Sequence, residues 1–415
     1  MVWLVLIILG LLIAAGVPIG FTLMITAAIS MLIADIDLIM VPIQMYSGTN
    51  SVVLLAIPLF IFMGATSISE RIINLASAMV GWMRGGLGHI NVLTSMFMAE
   101  MSGSAVADAA VMSKVFVPQM ERKGYPKEFA AAVTATSATL GIIIPPSIPM
   151  VLYGVTTNQS IKDLFVAGII PGVLLGAAFM LVISIFARQE KHPVDAKFRL
   201  SYLFSAFVAS AIPLMIPVIV VGGLIVGLVT PTEAAAIGVI AALLFGSILK
   251  NDLTWKKLGE IISTTTKQTS VVMMIIAGSA VLGQYLANEQ LPQLIASSIS
   301  SVSDEPWILM LIINLFLLVL GMVLHASAAI IVVVPMLLPL AQQIGIDPIH
   351  FGVIVCLNLG IGQQTPPVAS VLLTVCSTTG VKVNEVMRYG KWFILAMFVT
   401  LMVVSFVPQT ALWFR

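Results

Sequence analysis

The sequence predicts an all-α polytopic membrane protein made of two inverted repeats, each with five crossings and one re-entrant hairpin. Three observations carry this reading. Apolar stretches of the length that crosses a ~30 Å hydrocarbon layer, roughly 20 residues, recur along the chain. Gly and Pro landmarks return about 220 positions later, the signature of an internal repeat. Lys and Arg sit in opposite members of the paired loops, which places equivalent loops on opposite sides of a bilayer.

Composition sets the class. Of 415 residues, 60% are hydrophobic and 9% charged, against about a quarter charged in soluble proteins. A formal net charge of +1 suggests neither a nucleic-acid nor an acidic partner; the long apolar runs make the lipid bilayer the main environment. Cys356 and Cys376 both lie in apolar stretches, with no disulfide framework or metal spacing. Val2 to Ala15 lacks a basic start and a small-residue cleavage site, so it is expected to be a retained helix.

The repeat is read from paired landmarks. Pro145-Pro146 matches Pro366-Pro367, Gly141 matches Gly362, Pro118 matches Pro339, Phe129 matches Phe351 and Gly168 matches Gly390. The loop charges then fix direction. Segment 35–50 has no Lys or Arg, whereas 250–267 holds Lys250, Lys256, Lys257 and Lys267. Arg71 and Arg84 mark 70–87, and Arg122, Lys123 and Lys127 mark 119–128; their counterparts 289–306 and 341–350 have none.

Crossings are expected near 2–16, 18–34, 51–69, 129–153 and 164–188, then 204–229, 231–249, 268–288, 350–378 and 391–412. The first repeat is 1–188 with a hairpin at 88–119. A cytoplasmic linker, 189–203, leads to the second repeat, 204–415, with a hairpin at 306–341. Both termini fall outside. Segments 36–50 and 251–266 are expected as interfacial arms. The first hairpin arm, 88–101, is about 21 Å long as a helix, too short to span; for the second hairpin the argument is charge and symmetry. Gly85-Gly86-Leu87-Gly88 follows no strand and is a flexible approach to the hairpin.

Chemistry is expected where the backbone is irregular at membrane depth, which survives only inside protein or beside a wet cavity. Four places qualify: the tips Ser102-Gly103-Ser104 and His325-Ala326-Ser327, and the breaks around Gly141 to Pro145-Pro146-Ser147 and Gly362 to Thr365-Pro366-Pro367. Consecutive prolines remove backbone donors and free carbonyls. Carbonyls and hydroxyls suit a hard cation such as Na⁺, and helix N-termini suit a carboxylate. Against this stands simple helix packing or kinking by small residues. Four ionisable residues fall inside the membrane: Glu100, Asp108, Lys114 and His325. Asp108 suits the start of a return helix, where the dipole holds an acid. No His-Glu-x-x-His and no Gly-x-Ser-x-Gly is present, which speaks against an intramembrane enzyme.

The chain resembles the large membrane subunit of the tripartite ATP-independent periplasmic (TRAP) transporters over nearly its whole length. The resemblance rests on Leu55-Ala56-Ile57-Pro58-Leu59-Phe60, Ser102-Gly103-Ser104-Ala105-Val106-Ala107-Asp108, Ile144-Pro145-Pro146-Ser147-Ile148-Pro149, Thr230-Pro231-Thr232-Glu233-Ala234 and Gly362-Gln363-Gln364-Thr365-Pro366-Pro367-Val368. It implies Na⁺-driven import of a small organic anion by an elevator-type motion in the bacterial inner membrane. It also implies a small four-helix membrane subunit and a periplasmic substrate-binding protein as partners. Carried over by position, one Na⁺ would sit among Ser102, Gly103, Ser104 and Gly141, the other among Ala326, Ser327, Gly362 and Thr365. The anion would lie between, touching Ser147, Asn358 or Gln364. The family usually has an acid at the position of His325, so this histidine is either a substrate contact or a support for the tip. The competing readings are a single-chain Na⁺-coupled dicarboxylate or anion symporter that needs no binding protein, and a channel.

Overall fold

The computed structural model describes residues 2–66, 70–102, 104–250, 254–290, 305–366 and 368–415. Among these the chain is helical, and the one strand-like feature is an isolated bridge between Arg84 and Val194. In the first half, α1 is Val2–Ala14, α2 Ile19–Ile33, α3 Met40–Thr49, α4 Ala56–Thr66 and α5 Glu70–Val80. A helical pair follows, α6 Gly86–Ser102 and α7 Ala105–Arg122, then α8 Lys127–Ala138, α9 Ile148–Thr157 and α10 Ile161–Gln189. The second half opens with α11 Leu200–Val226, α12 Pro231–Lys250 and α13 Trp255–Asn288. A second pair, α14 Pro306–Val323 and α15 Ala326–Gln343, leads into α16 Pro348–Gly362, α17 Ser370–Thr379 and α18 Val383–Phe406.

Five described helices are long and apolar enough to cross a membrane, at 161–189, 255–288, 306–323, 326–343 and 383–406. Two bent pairs raise the number to seven. One joins α3 to 52–65 at 63°, and the other is α11 itself, bent by 65° beside Pro213, where the ring removes a helical hydrogen bond. The stretches expected as crossings at 129–153 and 350–378 are each two short helices with a gap: α8 and α9, α16 and α17.

The expected arm at 251–266 differs from the structure. Residues 251–253 lie outside the described residues, and from Trp255 onward arm and crossing form one helix of 34 residues, about 51 Å long at 1.5 Å per residue. Its counterpart α3 is a separate helix. Thr254 starts α13 by accepting the Lys257 N–H, and no Gly or Pro interrupts 260–277, so the hydrogen-bond ladder continues through Lys267.

The broken helices are the centre of the core. Every residue from Phe129 to Ala138 and from Ile349 to Gly362 is buried. A helix that is apolar on all sides belongs inside. Tyr153 Oη joins the two halves there by donating to Pro348 O at 2.6 Å. The glycine pair Gly321 and Gly362 lets α14 and α16 touch backbone to backbone; a Cβ on Gly362 would lie 2.3 Å from the Gly321 carbonyl carbon.

The linker is more than a connection. Gly85 N–H donates to Pro193 O, and the Asp195 and Ala196 N–H groups donate to Gly81 O. The Asp195 carboxylate accepts from Leu87 N–H at 2.7 Å and from Tyr125 Oη at 3.1 Å. The His192 ring lies 4.6 Å from that of Tyr125 and 4.9 Å from that of Phe129. Its Nε2 is 3.0 Å from Glu190, and Glu190 also accepts from Tyr389 Oη of α18 at 2.8 Å. Segment 190–196 therefore straps the base of the first helical pair to the last helix of the chain. Burial, and secondarily the Asp195 charge, holds the Tyr125 hydroxyl above its usual range. Burial pulls the His192 ring below the usual imidazole value, and Glu190 opposes this.

Candidate functional site

Each irregular tip is shaped by the residue that caps the helix after it. Ser104 is extended and its Oγ accepts the Ala107 N–H at 3.5 Å, which starts α7. His325 is also extended, and its Nδ1 accepts the Ser327 N–H at 3.4 Å, which starts α15. At the first break Ser147 accepts the Met150 N–H to start α9, and its hydroxyl donates to Ile142 O. At the second break Ala369, at φ 45°, turns the chain into α17 without a side-chain cap. The two serines are standard caps for the orphan N–H groups of a helix start, His325 fills the same role with a ring nitrogen, and α17 begins without one.

The tips and breaks meet in one cavity of about 580 Å³. Four helix N-termini reach its wall: Ser104 to Ala107 of α7, Ile148 and Pro149 of α9, His325 to Ser327 of α15, and Ser370 of α17. Each N-terminus carries roughly half a positive charge from its aligned peptides. From the long helix α13 come Lys267, Gln268, Val271 and Val272. None of the described lining residues is acidic. Gln363 borders the cavity while 1% exposed, and neither its Nε2 nor its Oε1 has a hydrogen-bond partner in the protein. Ser370 Oγ is also without one. A buried polar group left unmatched costs ~1–3 kcal/mol, so such atoms beside a cavity mark a place for a ligand or water.

The residues expected from sequence divide here. Ser104, His325, Ala326 and Ser327 line the cavity. Gly103 lies outside the described residues, as does Pro367, and Ser102 ends α6 beside the tip. Gly141 abuts the first tip: a Cβ there would be 3.0 Å from the Asp108 carboxylate and 3.9 Å from Ala105 N. At the second break Val368 N–H donates to Met322 O, close to the second tip, at 3.3 Å. Pro145 instead faces an apolar cavity between α6, α10 and α11, and Pro146 and Pro366 carry the breaks themselves.

Others are held away from the cavity. Ser147 is fully buried in its cap. Asn358 is fully buried too, and its Nδ2 donates to Asn314 Oδ1 at 2.8 Å, while Asn314 donates to Ser405 at 3.1 Å. Gln364 Nε2 donates to Ala135 O of α8 at 2.6 Å. Thr365 Oγ1 donates to Ile361 O at 2.8 Å in its own helix. Gly362 serves the contact with Gly321. Of the polar cavity residues, the expected site leaves out Lys267, Gln268, Gln363, Ser370 and Thr374. Gln363 was visible as half of a polar pair at the break. Lys267 sits in the polar run Ser263-Thr264-Thr265-Thr266-Lys267-Gln268 and was assigned to a cytoplasmic loop.

Comparison with known proteins shows the family and the fold. The family profile described as "Tripartite ATP-independent periplasmic transporter, DctM component" matches residues 6–410. The sialic acid TRAP transporter large permease protein SiaM of Vibrio cholerae is 38% identical over 97% of this chain and 96% of its own. The 2,3-diketo-L-gulonate TRAP transporter large permease protein YiaN of Escherichia coli is 36% identical over 96% and 95%. In fold, the chain is similar to the crystal structure of the Alcanivorax borkumensis YdaH transporter, with a TM-score of 0.62 at 14% identity, over 89% of this chain and 86% of that one.

Proposed function

The chain belongs to the DctM component family of the tripartite ATP-independent periplasmic transporters, and from that premise we propose that it imports a small organic anion together with Na⁺. It is a transporter permease of the bacterial inner membrane, not an enzyme. In this reading a periplasmic binding protein delivers the anion, and a small four-helix membrane subunit completes the permease. The two inverted repeats, 1–188 and 204–415, surround the cavity, and the tips and breaks travel together as an elevator.

One observation carries the substrate charge. Four helix N-termini and Lys267 converge on a cavity whose described lining holds no acid, which favours an anion. The relatives named for sialic acid and 2,3-diketo-L-gulonate fit an organic acid as cargo. Na⁺ fits the carbonyls and hydroxyls of the tips and of the adjoining Gly141 and Gly362 to Thr365 turns. A monoanion carried with two Na⁺ moves one net positive charge inward, which gains about 2.3 kcal/mol per 100 mV, more than a tenfold gradient at about 1.4 kcal/mol per decade.

Proteoliposome uptake with purified partners tests this. Uptake should require Na⁺ and the binding protein, and should rise with an inside-negative potential. Equal uptake in choline medium rejects sodium symport, and equal uptake without the binding protein favours a single-chain symporter. Impermeant labelling of single cysteines tests the topology: positions 49, 288 and 345 should react from outside and 84, 122 and 256 should not.

A further inference from the structure

The cavity's unmatched atoms say more than that its ligand is negative. Both ends of the Gln363 amide lack a partner, so the site offers one acceptor and a pair of donors at the same place. Ser370 Oγ lies on the same wall, two elements from the tip capped by His325. Lys267 is the one fixed positive side chain among the described lining residues.

A bare carboxylate accepts hydrogen bonds and donates none. Against Gln363 it would satisfy the NH₂ and set its lone pairs against the amide oxygen. A second carboxylate on the ligand would meet no second fixed cation. A ligand with one carboxylate near Lys267 and the helix starts, and a hydroxyl or N–H group facing Gln363, satisfies every one of these atoms. We propose that Gln363, with Ser370, is the specificity-determining element of the cavity, and that it selects a hydroxyl-bearing organic monoanion over a bare monoanion or a dianion. Buried polar groups discriminate strongly because the wrong ligand leaves them unpaired.

This rests on the reading of the cavity as the transport site, and the test separates the two. Binding of gluconate, butyrate and succinate to the purified full chain is measured by thermal stabilisation, with Na⁺ and with choline. Gluconate should bind best, and Na⁺ should strengthen it. Gln363→Leu should lower gluconate affinity about tenfold, to the level of butyrate, since two neutral hydrogen bonds are lost. If the leucine variant does not fold, Ser370→Ala should give a smaller loss in the same direction. Succinate or butyrate bound more tightly than gluconate, with Na⁺ dependence, overturns this inference and leaves the transport reading intact. Unchanged gluconate affinity in the variants does the same. No Na⁺-dependent binding of any probe overturns both.

Discussion

The two breaks at the centre of the molecule carry matching prolines and have different surroundings. Around the first, Thr139 to Pro149 is buried throughout, Ser147 is spent on capping and on Ile142 O, and Asp108 lies over Gly141. Around the second, Thr365 is half-buried, Pro366 is exposed, and Gln363 and Ser370 keep unpartnered atoms beside the cavity. The first break lends the cavity only the apolar Ile142, Ile148 and Pro149; the second supplies unspent polarity. A repeated backbone device can thus be used once for shape and once for recognition.

The strongest way to break this comparison is at its glycines. Gly362→Ala puts a Cβ 2.3 Å from backbone of α14, where nothing can rotate away, so the loss should reach or exceed the top of the ~1–3 kcal/mol range for overpacking. Gly141→Ala meets the end of the Asp108 side chain at 3.0 Å and should cost about 1 kcal/mol. Thermal stability of the detergent-solubilised protein measures both, and the reverse order would sink the account.

Neighbouring glutamines sharpen it next. Gln364→Leu removes the donor to Ala135 O and leaves a buried carbonyl unmatched, a loss of ~1–3 kcal/mol. Gln363→Leu removes an amide that has no partner, so its melting temperature should hold or rise. Equal destabilisation by the two would show that both glutamines are structural.

His325 separates capping from charge. Aspartate caps helices well and alanine does not, so His325→Asp should keep the melting temperature while His325→Ala should lower it, at a stability cost of about 1 kcal/mol. Uptake of the anion should fall further in the aspartate variant, because a like charge then borders the cavity. Unchanged half-saturation in both variants would remove His325 from the binding surface.

The smallest expected effect lies at the strap that braces the first half. His192 titrates below its usual value when folded, so the unfolded chain binds the proton more readily. Stability is complete above the unfolded value of about 6.5 and declines as pH falls from there toward the lowered folded value. Glu190, Tyr125 and, through Glu190, Tyr389 face the ring. Melting temperature should therefore drop modestly as pH falls below about 6.5, and His192→Phe, which keeps the aromatic packing, should flatten that slope.

Much of this was legible in the chain itself. Membrane class follows from apolar length, and the tips and breaks follow from Gly, Ser and Pro, because these residues act on their own backbone. The capping roles of Ser104 and Ser147 belong to the same local chemistry. Side-chain direction at the breaks was not legible: once the helix stops at Gly362, its period no longer says which way residues 363 and 364 point, and packing against α8 sends Gln364 to Ala135 and leaves Gln363 at the cavity. Nor was the continuity of α13, since an uninterrupted helical run reads the same in an arm and in a crossing. That continuity carries Lys267 to a wall built largely from the tips and breaks of both halves, a meeting of distant segments that tertiary packing alone decides.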